Sequence, residues 1–333
     1  MSINGTGALR FGLIGLGVHG SRYAAHLLEG DVPGARLLAV CRRDRKAGEA
    51  WAAERGLRYH GDAAALSADP GVDAVAVVTT PDLNPAIVER AAAEGKHVLI
   101  EKPLAVDGAA ATRIARAVEG RGVTVMVAQT LRFNSVARTL ATHVPSIAPL
   151  HAVSLSQRME PSRLTWQADP AVAGGGNILH TGIHLFDLLR HLTGEEVDRV
   201  SCETRRLINP GLEDSFGAVM RLSSGRAVAL VDSSKATRSR SGRIELVGEG
   251  GQLVGDHVHG FAFRIHGYER TDLRPPAPVP TVRETLWAFV EALRRGGPPP
   301  ITVTDGMRAV EIADACYRAA EAGRSTRVER VRA

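Results

Sequence analysis

The chain has 333 residues, 44% of them hydrophobic and 23% charged, a balance that belongs to a folded globular protein and excludes a disordered or fibrous one. At roughly 100–200 residues per domain, that length predicts two domains. The net charge of +5 is spread among acidic residues and aromatics are only 4%, so no nucleic-acid partner is expected. No apolar run reaches the roughly 18–20 uncharged residues of a membrane span, and Met1–Arg10 lacks a signal-peptide pattern. A cytoplasmic protein with no membrane partner is the expectation. Cys41, Cys202 and Cys316 are far apart and odd in number, which fits reduced thiols and neither a disulfide framework nor a zinc site. Of the 41 Lys and Arg residues only Lys46, Lys96, Lys102 and Lys235 are lysine, so the placement of each lysine is informative.

From Leu9 to Ala128, short apolar runs alternate with amphipathic stretches. Leu9–Ile14, Ala35–Cys41, Ala74–Thr79, His97–Ile100 and Thr124–Ala128 are predicted strands; Gly20–Leu28, Arg45–Arg55, Pro85–Glu94 and Gly108–Glu119 are predicted helices. Continuously apolar strands separated by helices predict a parallel sheet covered on both faces, a doubly wound Rossmann domain over residues 1–128. Residues 129–333 predict an α+β domain for substrate and oligomerisation. It has a helix at Asn177–Leu192, largely antiparallel strands between Val200 and Ile265, a proline-rich linker at Arg274–Pro280, and closing helices at 282–294 and 305–322. Thr304 or Asp305 is the expected N-cap of the last helix and Gly323 its stop.

Directly after the first strand stands Gly15-Leu16-Gly17-Val18-His19-Gly20. Gly15 allows the tight turn, Gly17 lets a pyrophosphate approach the backbone, and Gly20 lets the helix pack close to the strand. The helix N-terminus, with Val18 and His19, then offers free N–H groups to the phosphates. A carboxylate for NAD ribose is missing at the end of the second strand, where Arg42 and Arg43 stand instead. Two guanidinium groups there predict NADP, with NAD as the second choice if Asp44 turns inward.

Glu101-Lys102-Pro103 falls at a carboxyl end of the sheet, where open α/β folds keep ligands. The Lys102 ammonium can stabilise negative charge on a carbonyl oxygen, Pro103 fixes the backbone, in cis or in trans, and Glu101 can hold the ammonium. On the predicted helix His180, His184 and Asp187 or His191 share a face. An imidazole suits proton transfer near neutral pH, and a metal between the two histidines is not expected because no further ligand cluster is evident.

The run Gly95-Lys96-His97-Val98 through Glu101-Lys102-Pro103 resembles the signature of the Gfo/Idh/MocA family of glucose-fructose oxidoreductase and inositol dehydrogenase. The resemblance extends over almost the whole chain, including the glycine loop, Arg132-Phe133-Asn134, the segment Gly174 to His184, and Asp305-Gly306. It implies that Lys102 is catalytic, that His184 exchanges a proton with the substrate hydroxyl, and that Thr79, Thr80, Pro81 and Asn84 lie beside the coenzyme. It also implies an open-faced sheet that joins subunits into a dimer or tetramer. Two positions depart from the pattern: His180 replaces an aspartate and Asn84 a histidine; His180 is expected to take part in catalysis by accepting a hydrogen bond from His184 or by contacting the substrate directly. The resulting expectation is hydride transfer between NADP(H) and a secondary alcohol or ketone of a sugar or polyol, with Arg132, Arg158, Trp166, His180 and His184 as candidate substrate contacts. Two alternatives stay open, oxidation and elimination on a glycoside with a retained coenzyme, and a non-catalytic dinucleotide sensor.

Overall fold

The structure is a computed structural model that describes residues 7–330. Most of the Met1–Arg10 segment, and the outer ends of both expected domains, lie outside the described residues. The first sheet joins β1 (Leu9–Ile14), β2 (Ala35–Cys41), β3 (Arg58–His60), β4 (Ala74–Val77), β5 (His97–Glu101) and β6 (Val125–Ala128) in the order β3-β2-β1-β4-β5-β6. Every pairing in it is parallel. The strands are short and nearly all apolar because helices cover both faces: β4, Ala-Val-Ala-Val, is buried at every residue. The helices are α1 (Val18–Glu29), α2 (Arg45–Ala53), α3 (Ala63–Ser67), α4 (Asn84–Ala93) and α5 (Gly108–Val118). The strand order reverses between β1 and β4, which opens a crevice at their carboxyl ends.

The second sheet has nine strands, in the order β14-β13-β12-β11-β7-β10-β9-β8-β15. They are β7 (Leu150–Arg158), β8 (Val197–Arg205), β9 (Ser215–Leu222), β10 (Val228–Ser234), β11 (Ser241–Gly248), β12 (Gly251–Asp256), β13 (Phe261–His266), β14 (Glu269–Asp272) and β15 (Thr326–Arg327). Only β7 and β10 pair in parallel. Alternation is strict on β9, where Phe216, Ala218, Met220 and Leu222 face inward. Against that inner face packs α8 (Ile183–Thr193), with the Phe186 and Phe216 ring centroids 5.9 Å apart.

Seven elements are absent from the sequence reading: β3, α3, α6 (Ser135–His143), β7, α7 (Pro170–Ala173), β14 and β15. The central strand β7 alternates Val153, Leu155 and Gln157 inward with serines outward, and its polar content hides it. The last helices α9 (Thr281–Arg295) and α10 (Val303–Ala322) return to the first layer. Phe289 of α9 meets Phe11 of β1 at 6.0 Å, and Asp314 of α10 accepts the Gly108 N–H of α5. The N-cap of α10 is Thr302, two or three residues earlier than expected: Asp305 sits at the third helical position and completes a reciprocal capping box, while Gly323 ends the helix at φ 58° as expected. Cys202 of β8 and Cys316 of α10 lie together, and all three cysteines are free and buried; burial, then the Cys202 thiol, raises Cys316 well above its ordinary pKa.

Asp305 also ties the layers together. Its Oδ1 accepts Arg132 at 3.0 Å and Arg190 at 3.1 Å, and Arg132 grips Asp187 at 2.6 Å. Burial alone would raise the Asp305 carboxyl, but Arg132 and the Thr302 hydrogen bonds bring it down to about 2. Its contribution to stability is therefore present above the ordinary value of 3.8 and is lost as pH falls from there through about 2. Replacing Asp305 with Ala should cost about 2–3 kcal/mol, because it removes the carboxylate that two arginines share and half of the α10 capping box, while Arg132 keeps Asp187 and Arg190 keeps Glu196. Urea unfolding at pH 7 measures it, and a loss below about 1 kcal/mol, the ceiling of a surface pair, would contradict the assignment.

Candidate active site

The carboxyl ends of β1, β4 and β5 meet at one edge of the first sheet. Gly15 has φ +99°, and a Cβ there would lie 2.2 Å from the Val78 carbonyl oxygen; at Gly20 it would lie 1.9 Å from the Gly15 carbonyl oxygen. Both glycines are demanded by the fold itself. At Gly17 a Cβ would meet nothing within 4 Å. The chain leaves this space open, and Gly17 is the N-cap of α1 with no side-chain cap, so the first amides of the helix point free toward it. The cradle fits a pyrophosphate. Val18, 76% exposed, forms its rim.

At the end of β2, Asp44 is spent on capping α2, where it accepts the Ala47 N–H at 3.1 Å. Its Oδ1 is engaged at the start of that helix rather than turned inward. Arg43 is exposed and Arg42 half-buried beside it, and only the Arg42 carbonyl is engaged, by the Tyr59 hydroxyl.

Lys102 follows β5 through a cis Lys102–Pro103 bond. Its ammonium donates to the His180 carbonyl at 3.0 Å, across from the other half of the molecule. Burial lowers the ammonium below its ordinary value, against the pull of Glu101. The expected clamp of Glu101 on this ammonium does not form as a hydrogen bond. Instead Glu101 accepts the Tyr23 hydroxyl at 2.5 Å, His19 Nε2 at 2.7 Å and the Lys102 backbone N–H at 3.0 Å. Burial would push Glu101 up, but His19, Lys102 and Tyr23 keep it below the usual carboxylate range. It anchors the turn and α1 rather than the ammonium.

Asn84 is likewise displaced from its expected role. It is 2% exposed; its amide donates to the carbonyls of Pro103 and Leu104 at 3.1 and 3.2 Å, and its oxygen accepts the Thr79 hydroxyl at 3.1 Å. With its polar atoms consumed, Asn84 positions the turn that carries Lys102. Thr80 and Pro81 open the short 3-10 turn Pro81–Leu83 before it.

The predicted helix Asn177–Leu192 starts with a π-turn, Ile178–Gly182, before α8. Gly175 and Gly176 permit this: added Cβ atoms would lie 2.2 Å from the Tyr317 hydroxyl and 2.1 Å from the Glu213 carbonyl oxygen. Glu213 accepts the Ile178 N–H and the Tyr317 hydroxyl, both at 2.9 Å, and fixes the turn. His180 Nε2 lies 3.0 Å from the Ala173 carbonyl, which makes that nitrogen the protonated one. The ring is therefore held by backbone and packs edge-on against Trp166 at 5.2 Å; no hydrogen bond joins it to His184. Burial, then Lys235 and Lys102, hold His180 well below its ordinary pKa; burial, then Lys102 and His257, do the same to His184. Both imidazoles are neutral near pH 7, and His184 Nδ1 is buried with no hydrogen-bond partner among the described residues.

Lys102, His180 and His184 share a cavity of about 770 Å³ with Gln157, Lys235 and His257. Three expected substrate contacts do not line it. Arg132 is consumed by Asp187 and Asp305, Arg158 pairs with Asp232, and Trp166 stands behind His180. Arginine–carboxylate pairing between neighbouring elements outcompetes exposure to a ligand. Lys235 and His257 were not singled out as site residues; the rarity of lysine is the one signal that pointed at Lys235, and His257 carried none.

The NAD-binding Rossmann model of an oxidoreductase family matches residues 9–129, and the GFO/IDH/MocA C-terminal domain model matches 147–254. The chain belongs to the GFO/IDH/MocA oxidoreductase family. It is 30% identical to inositol 2-dehydrogenase 1 of Saccharopolyspora erythraea, over 96% of each chain. Among solved structures, aldose-aldose oxidoreductase of Caulobacter crescentus, in complex with glycerol, superposes with a TM-score of 0.87 at 25% identity, covering 96% of this chain and 99% of that one. An oxidoreductase of Agrobacterium radiobacter, in complex with NAD+, L-tartaric acid and magnesium, gives 0.84 at 25%, covering 96% and 98%. This GFO/IDH/MocA protein is thus an oxidoreductase with an NAD-binding Rossmann fold, and no helix among its described residues is long and apolar enough to cross a membrane.

Gly17 separates folding from binding. Gly17→Ala should leave the melting temperature within about 2 °C of the parent, because the added methyl meets open space, yet weaken coenzyme binding about tenfold or more. Fluorescence titration with NADH and NADPH measures this; unchanged affinity would show that the pyrophosphate does not approach there.

Proposed function

We propose that this protein transfers a hydride between NADP(H) and a secondary alcohol or ketone on a sugar or polyol, with Lys102 as the acid-base group. The observation that carries the reading is the Lys102 ammonium, half-buried at the edge of the Rossmann crevice and facing the same cavity as His184. The relatives named inositol dehydrogenases support the polyol class. A nicotinamide coenzyme, when bound, supplies the hydride acceptor or donor. The residues that would hold it are the Gly15–Gly20 turn, with its free α1 amides, Arg42 and Arg43 at the ribose end, and the Thr79–Pro81 turn.

One of the three Lys102 protons is committed to the His180 carbonyl, which leaves two donors for a substrate oxygen. In reduction the ammonium hydrogen-bonds the carbonyl oxygen and delivers its proton as negative charge develops there. In oxidation the neutral amine takes the hydroxyl proton. His184, neutral and short of a partner at Nδ1, orients the hydroxyl rather than storing a proton, because burial makes it the poorer base. Glu101, Tyr23 and Asn84 fix the turn so that Lys102 pays little to reach its working geometry.

Residues 1–128 would serve the coenzyme and residues 129–333 the substrate, with α9 and α10 bracing both. The outer face of the second sheet exposes Val219 (49%) and Leu230 (50%) as a cross-strand pair, with Val228 nearby, and we assign it to the contact between two or four copies. A monomeric mass by light scattering would remove that assignment. The free, buried cysteines support residence in the cytoplasm, which cell fractionation tests.

Lys102→Met should lower kcat by about a thousandfold or more while coenzyme affinity changes little. In the parent, alcohol oxidation should rise with pH to a plateau through an apparent pKa below the ordinary lysine value, and ketone reduction should fall through the same pKa. Near-normal turnover in the variant would sink the role of the lysine. For the coenzyme, kcat/KM should favour NADP over NAD, and Arg42→Ala with Arg43→Ala should reverse the ratio; better use of NAD by the parent would contradict the NADP assignment.

A further inference from the structure

The charge on the cavity wall is one-sided. Its ionisable lining contributes four formal cations, Lys102, Arg163, Lys235 and Arg240, and one carboxylate, Glu160, which is already paired with Arg240. His180 stands where a further carboxylate would have balanced the wall, and it is neutral.

Among the described residues two of these cations have no partner, and of the two Arg163 is exposed to solvent whereas Lys235 is drawn into the wall. It follows β10, and its backbone N–H donates to the Asp214 carbonyl at 2.8 Å, which fixes the start of the side chain. No hydrogen bond or ion pair engages its ammonium among the described residues. The carboxylates behind it are committed elsewhere. Glu213 serves Ile178 and Tyr317, and Asp214 accepts the backbone N–H groups of Leu207, Ile208 and Asn209. Burial, then repulsion from Lys102, lowers Lys235 to about 7, so the cavity wall holds this charge at a cost. The Glu213 carboxylate offsets part of that cost through space, and a negative group brought in from outside would offset the rest. That group enters from the cavity, because the small recess on the other side of Lys235 is lined by Glu213 and Asp214.

We propose that Lys235 binds a carboxylate of the substrate, which makes the substrate a sugar acid or other polyhydroxy acid rather than a neutral polyol. The inference rests on the oxidoreductase reading above and narrows its substrate class. The carboxylate takes no part in the electron transfer: the carbinol C–H leaves as hydride to the oxidised coenzyme, the O–H proton passes to the Lys102 amine, and the secondary alcohol becomes a ketone. With Lys102 reserved for the reacting oxygen and Arg240 paired to Glu160, Lys235 has one positive charge to offer, which suits a monoanion; a phosphate dianion would call for an arginine fork or a helix N-terminus beside it.

The test is a matched panel of D-glucose and myo-inositol, D-gluconate and D-glucuronate, and D-glucose 6-phosphate, assayed with NADP+ and NAD+ on the parent, Lys235→Met and Lys235→Arg. In the parent, kcat/KM should be at least about tenfold higher for an acid than for the neutral compounds and the phosphate, and should fall with added salt. Lys235→Met should erase that preference through KM, and Lys235→Arg should retain most of it. A parent that prefers neutral sugars or the phosphate overturns the proposal without help from any variant, as does a Lys235→Met variant that slows acids and neutral sugars by one factor. If nothing on the panel turns over, calorimetric titration of the NADPH-loaded protein with D-gluconate and D-glucuronate decides. Binding lost in Lys235→Met upholds the anion site and places the fault in the oxidoreductase reading, whereas no binding, or binding unaffected by the variant, overturns the carboxylate site.

Discussion

A lysine ammonium held in a partly dehydrated space is the constraint on which this molecule turns. Lys102 leaves the carboxyl edge of the first sheet and ends on the His180 carbonyl, in the π-turn that leads into the helix lining the second sheet. Removing water from an ammonium is costly, and the surroundings set how the cost is met. One carbonyl is supplied, Glu101 acts from behind through space, and no carboxylate makes direct contact. Burial therefore lowers the ammonium below its ordinary value, the direction that suits a group that both donates and accepts a proton.

Most other polar features near the crevice follow from keeping that group in place. Asn84 ties the Pro103–Leu104 carbonyls to the turn after β4, and Tyr23 and His19 tie Glu101 to α1, so the coenzyme helix and the lysine share one hydrogen-bonded unit. Glu213 and Tyr317 perform the same service for the π-turn. The Arg132–Asp187–Asp305–Arg190 network lies outside the cavity and joins the last helix to both layers. The arginines of this chain largely brace its elements, while two of its four lysines face the cavity. That contrast has a physical basis: a planar guanidinium is satisfied by forked contact with a carboxylate, whereas an ammonium on a flexible stem adjusts its charge to its surroundings.

What the chain itself determined is the part written in local chemistry. Short apolar runs between amphipathic helices dictated a parallel sheet, Gly15 and Gly20 dictated the first turn, and the Glu101-Lys102-Pro103 run at a strand end marked the reactive group, because each depends on neighbours in sequence. Alternation along β9 and the stop at Gly323 were readable for the same reason. The partners of Arg132, Arg158, Asn84 and Glu101, the central strand β7, the π-turn around His180 and the cavity wall at Lys235 were decided only by tertiary structure. Each joins residues from separate elements, and whether a polar side chain meets a ligand or another residue depends on which groups the folded chain has already brought within hydrogen-bond distance.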